Sequence, residues 1–153
     1  MSGSFTPSVV CEDFYFIENG AGTYTGSVVL PAGSTLLDIV VHAEALWTAA
    51  TSASLEVGDT ADPDGFFTAV NLKATDLLAG ESINFVSTGG QKGADVDLVD
   101  AAAGADHVRR RELSNSAERT ITASVVSVGA GTAGRTRVLV IYAKPTHTKV
   151  VTQ

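Results

Sequence analysis

The stretch from Ser34 to Phe67, STLLDIVVHAEALWTAATSASLEVGDTADPDGFF, constrains the fold most tightly. Its first run alternates. Leu37, Ile39, Val41, Ala43 and Ala45 fall on one face, and Asp38, Val40, His42 and Glu44 on the other. Such period-two alternation predicts a strand with one buried and one wetter face. The second run, Ser54 to Val57, repeats the pattern, stops at Gly58-Asp59 and reads as the partner of the first. Asp62-Pro63-Asp64-Gly65 then predicts a β-turn, because proline presets φ and glycine tolerates the close. Paired aromatics, Phe66 and Phe67, follow.

Comparable runs recur along the chain. Glu12–Ile17 puts Phe14 and Phe16 on one face and Tyr15 and Ile17 on the other. Thr25–Leu30, Ser82–Val86, Arg119–Val128 and Arg137–Ala143 also read as strands, and a further short one begins at Asp95. Asn19–Gly22, Pro31-Ala32-Gly33 and the glycine loop Gly129–Gly134 punctuate them. Ala69–Ala79 fits either a short helix or a strand followed by a turn. Short strands at this spacing, with no repeated βα unit, predict an all-β fold: an antiparallel two-sheet β-sandwich of jelly-roll type with at most one short helix. The 153 residues read as one domain over 9–145, with a flexible arm at 1–8 and a polar tail at 146–153.

Charge narrows the function. Only 18% of residues are charged and the net charge is −7. An acidic chain lacks the basic footprint of a general nucleic-acid binder. Low charge suits subunit contacts, because interface cores are depleted of charge. Cys11 is the only cysteine, so no intrachain disulfide is expected. No charged leader precedes an apolar run, and no stretch reaches the roughly eighteen apolar residues of a membrane span. A soluble protein made in the cytoplasm, with no membrane partner, is expected.

The chemical motifs are weak. Gly129-Ala130-Gly131-Thr132-Ala133-Gly134 spells GxGxxG, but a dinucleotide site needs a helix after it, and Arg135–Tyr142 is strand-like. The expected structure is a glycine-rich hairpin loop. Asp59, Asp62 and Asp64 are the only carboxylates spaced for a metal loop. With Asp59 counted as position one, position twelve is Val70, where a calcium loop needs a bidentate glutamate, so a turn without metal is expected. His42, His107 and His147 have no ligand spacing to one another. His42 lies beside Asp38 and Glu44 on one strand face, as solvated or subunit-facing polar groups do. Cys11 is expected to be a small buried hydrophobe. No catalytic residues and no cofactor are assigned. Phe5 and Pro7 in the arm, with Arg109, Arg110 and Arg111, are the candidate contacts to other subunits. Three consecutive arginines on a chain so poor in charge suit docking onto carboxylates. Arg119, Arg135 and Arg137 are further basic spots.

STLLDIVVHAEALW followed by LEVGDTADPDGF resembles small decoration, or cement, proteins encoded among the head genes of tailed bacteriophages. The likeness runs from about Leu30 to Phe67 and carries no catalytic group. It implies a β-sandwich bound to the outside of an icosahedral shell across major capsid protein subunits, commonly as a homotrimer. The implied location is the outer capsid surface of the virion. The second function to weigh is a head fibre, turret or tail protein that contacts another virion component or a host-surface glycan. An enzyme working from the His42 face or the Asp59 loop is a third.

Overall fold

The computed structural model describes residues 8–87, 91–96, 114–144 and 151. Eight strands are present among them: β1 (Ser8–Ile17), β2 (Gly22–Leu30), β3 (Thr35–Ala45), β4 (Ser52–Asp59), β5 (Phe67–Asn71), β6 (Ser82–Ile83), β7 (Arg119–Val128) and β8 (Arg135–Lys144). They form two four-stranded sheets, ordered β1-β8-β3-β6 and β2-β7-β4-β5. Every pairing is antiparallel. This is the strand order of a jelly roll.

Apart from β4 to β5, each connection passes from one sheet to the other. Two expectations fall with that observation. β4 is not the partner of β3, which pairs with β8 and β6 instead. The glycine loop joins β7 to β8 across the sandwich and is not a hairpin. Alternation shows which face of a strand is buried, but both sheets bury the same kind of face, so sheet membership is invisible locally.

The core lies between the sheets. Leu36, Ile39 and Val41 of β3 and Val138 and Val140 of β8 face Leu55 and Val57 of β4 and Ile121, Ala123 and Val125 of β7, all fully buried. Phe66, Phe67 and Phe85 fill one end, with ring centroids of Phe66 and Phe85 5.6 Å apart. The segment after β5 has little regular structure, yet Leu72, Leu77, Phe85 and Val96 anchor it in the core. Among the described residues there is no helix. Ala69–Ala79 completes β5 and turns, with Ala74 at φ 74°, a left-handed conformation that a helix does not use. Asp95 lies in a turn and opens no strand.

The long alternating strand is interrupted. Its pairing with β8 shifts between Leu36 and Asp38 and again between Ala43 and Ala45. A bulge adds one residue and reverses the face of what precedes it. Leu36 is therefore fully buried and Leu37 is 38% exposed, contrary to the uninterrupted pattern. Ala45, beyond the second shift, is only half-buried. The first bulge gives Asp38 a structural task. Its carboxylate accepts hydrogen bonds from the backbone N–H of Ile39 and Phe85, at 2.9 and 3.0 Å, and from the Asn84 side chain at 3.1 Å. In a urea melt, Leu36→Ala is expected to cost about 2–5 kcal/mol. Leu37→Ala should stay within about 0.5 kcal/mol. Unbroken alternation would reverse that order.

Candidate functional site

Three places concentrate polar groups: the Asp59 turn, the glycine loop, and the outer face of the sheet containing β1, β8 and β3.

At the Asp59 turn, the carboxylate closes the loop from within. Asp59 Oδ1 accepts the N–H groups of Ala61 and Asp62 at 2.8 and 2.9 Å. Oδ2 meets Arg119 Nε at 2.7 Å and its terminal nitrogen at 2.6 Å. Both side chains are about nine-tenths buried, at 8% and 10% exposure, and the guanidinium lies 5.3 Å from the Phe66 ring centroid. Arg119 is thus a buried tie between β4 and β7, not a solvated basic spot. Burial pushes the Asp59 pKa up, and hydrogen bonds from Asp62, Arg119 and Ala61 with the Arg119 charge more than offset it, so it rests below the ordinary value. Asp64 accepts a hydrogen bond from the Thr68 hydroxyl at 2.9 Å. Asp62 lies beside Asp64, and its pKa is raised by partial burial and by the Asp64 carboxylate. Gly58 is obligatory, because a Cβ there would collide with the carbonyl of Asp62. The three acids thus form the expected turn. Among the described residues no group of three or more His, Cys, Asp or Glu is arranged to hold a metal ion.

The glycine loop closes on a residue that sequence reasoning missed. Glu18, just past β1, is 2% exposed. Its Oε2 accepts the Thr48 N–H and hydroxyl, both at 2.9 Å, the Gly134 N–H at 2.9 Å and the Ala133 N–H at 3.1 Å. Burial raises its pKa and these donors more than compensate, leaving it lowered. A Cβ on Gly131 would collide with Glu18 Oε1, and one on Gly134 with the Trp47 ring. The GxGxxG spacing thus reflects close approach to a carboxylate and an indole. The sequence offers no signal linking Glu18 to a loop more than a hundred residues away, because the jelly-roll crossings bring them together.

The outer face of the β1–β8–β3 sheet carries paired charges. Arg137 binds Asp13 at 2.7 Å, Arg135 binds Glu44 at 2.8 Å, and both guanidinium groups pack on Tyr15 at 5.5 and 4.5 Å from its centroid. His42 Nδ1 meets the Ser82 hydroxyl at 2.7 Å. Asp38, His42 and Glu44 therefore serve three different partners and do not converge on a reaction centre. Cys11 is exposed, contrary to expectation. It shares the outward side of edge strand β1 with Asp13 and Tyr15. Phe5, Pro7, Arg109, Arg110, Arg111, His107 and His147 lie outside the described residues.

No family model and no curated protein matches the chain. Solved structures do. A chain of the cyanophage Pam1 capsid asymmetric unit matches over 95% of this chain and 91% of its own, with a TM-score of 0.58 and 20% identity. A chain of the acidic stable capsid of Helicobacter pylori bacteriophage KHP30 matches over 97% and 98%, with a TM-score of 0.58 and 15% identity. The chain shares its fold with chains of phage capsids. At such identities the likeness is one of architecture, and it spans nearly the full length of both neighbours.

Glu18 and Asp59 have lowered folded-state pKa values, so the stability they contribute is present above their unfolded values near 4.5 and 3.8. It is lost as pH falls below those values. Urea melts should show stability level near neutrality and falling below about pH 4.5. Asp59→Asn should cost about 3 kcal/mol at pH 7, by leaving Arg119 buried beside a neutral partner, and should flatten the acid limb. Asp62 has the opposite sign. Asp62→Asn should raise the melting temperature slightly, by less than about 1 kcal/mol of stability. Calcium and chelator should leave melting unchanged; a rise of several degrees with calcium would make the turn a cation site.

Proposed function

We propose that this protein is a structural component of a tailed-phage virion that binds the outside of an icosahedral capsid. It would bridge neighbouring major capsid protein subunits and stabilise the shell. The observation that carries this reading is the correspondence of its jelly roll, over nearly its whole length, with chains of two phage capsids. The resemblance of Leu30–Phe67 to phage decoration proteins supports it from the residue side. A cement protein needs a rigid body and contact surfaces and no reaction centre. The buried carboxylates fit that need: Glu18, through Oε2, and Asp59, through both oxygens, tie strands and loops together. On this reading the protein is not an enzyme and requires no cofactor. Attachment as a homotrimer would multiply weak contacts into avidity.

Arg109, Arg110 and Arg111 are the proposed docking arginines on this reading. A guanidinium pairing with a carboxylate across a desolvated interface contributes through geometry as well as charge. Removing one partner of such a pair costs about 2–5 kcal/mol. The experiment adds purified protein to particles that lack it and images them by cryo-electron microscopy. Symmetric density on the outer capsid surface and a higher temperature of particle disruption are expected. Density confined to a fibre, turret or tail would favour the second function, and no density would overturn both. The triple alanine variant at 109–111 should lower occupancy, with the deficit greatest at low salt and narrowing as salt screens the pairs, while the isolated protein melts as before. Unchanged occupancy would remove the arginines from the interface.

A further inference from the structure

The four sheet edges are protected unequally. β6 is two residues long, and the rest of the β3 rim is covered: Gly80 and Glu81 hydrogen-bond Ala43, Asp38 holds Phe85, and Ser114 bridges Thr35. β5 has five residues, with Ala69 at φ 50°, and Gln91 and Lys92 lie against its rim. β1 is longer but carries Glu12 and Asp13, one on each side of the strand. Charged side chains, short strands, irregular backbone and covering loops all discourage edge pairing. Among the described residues β2 carries no charge and no covering loop, and its one irregular residue is Gly22 at its start, at φ 151°. GTYTGSVVL contains no charge and no proline, and its register with β7 is unbroken from Gly22↔Ser127 to Leu30↔Arg119. Among the described residues no strand pairs with its outer rim.

We propose that a second copy of this chain pairs antiparallel along β2, with the twofold axis at Gly26. The strand is self-complementary about that point. Thr25 would face Ser27, Tyr24 would face Val28, and Thr23 would face Val29. Hydroxyl pairs and β-branched pairs are favourable cross-strand neighbours. Charge selects the same occupant. Two copies of a chain with net charge −7 repel wherever acids meet acids, and β2 brings none to the contact. Thr120, Thr122, Ser124 and Val126, its neighbours on the outer face of β7, are uncharged as well. The rim is also apolar enough to favour cover. Val29 is 47% exposed, and the half-buried Phe14 ring packs where a side chain at position 26 would stand, which explains a glycine in mid-strand. In a threefold cluster, this twofold contact would link one cluster to the next.

The pairing is tested on the free full-length protein, so its failure is separate from any failure of capsid binding. Mass is measured by sedimentation equilibrium over a concentration series, in reducing buffer because Cys11 is exposed. Thr25→Lys with Ser27→Lys places lysine opposite lysine at each side of the axis, and like charges directly opposite are destabilising. Both side chains are exposed and point outward, so far-UV circular dichroism and melting temperature should match the wild type. The wild type at high concentration should show twice the mass of this variant. Thr25→Glu with Ser27→Glu should halve the mass likewise, and mixing the lysine and glutamate variants should restore it. A wild type that is monomeric at the highest concentration overturns the proposal without any variant. Equal masses for wild type and lysine variant, or a mixture that fails to re-associate, overturn it too.

Discussion

The Glu18 carboxylate holds the sandwich closed at one end. A jelly roll must carry its chain between sheets about 10 Å apart, and each crossing exposes backbone N–H groups that need acceptors. Here one buried oxygen takes four donors from two segments, Thr48 after β3 and Ala133-Gly134 before β8. Glu18 itself lies in the β1–β2 crossing, and its N–H donates to the Gly134 carbonyl at 2.8 Å. The indole of Trp47 packs under the same loop and donates to the Thr136 hydroxyl at 2.9 Å. Three crossings thus share one polar node. Charge-assisted hydrogen bonds of this kind are about twice as strong as neutral ones.

The Asp59–Arg119 pair ties the other sheet together at the turn after β4, beside the Phe66–Phe67–Phe85 cluster. A buried ion pair adds little net stability over an apolar substitute, but removing one partner is costly. It therefore acts as a constraint on pairing: β4 ends opposite the start of β7 and nowhere else. Charge on the remaining surface is unevenly spread. The outer face of the β1–β8–β3 sheet carries arginines paired with acids around Tyr15, whereas the β2–β7 face is almost wholly Ser, Thr and Val. Two such different faces give this small module two chemically distinct surfaces.

The sequence by itself determined the class of fold. Alternation in Glu12–Ile17 separated Phe14 and Phe16, which pack against the core, from Tyr15 and Ile17, which are exposed, because a period of two forces successive side chains to opposite faces. The Asp-Pro-Asp-Gly turn was legible for the same local reason, since proline and glycine restrict the backbone wherever they occur. Only the tertiary structure decided what local rules cannot carry. The bulge that exchanges Leu36 for Leu37 follows from the register against β8, which lies about a hundred residues away in sequence. The assignment of β3 and β4 to opposite sheets arises from crossings that leave no mark on either strand. Glu18, Arg119 and the glycine loop gained their roles from partners distant in sequence, because a buried charge is defined by what surrounds it and not by its own neighbours in the chain.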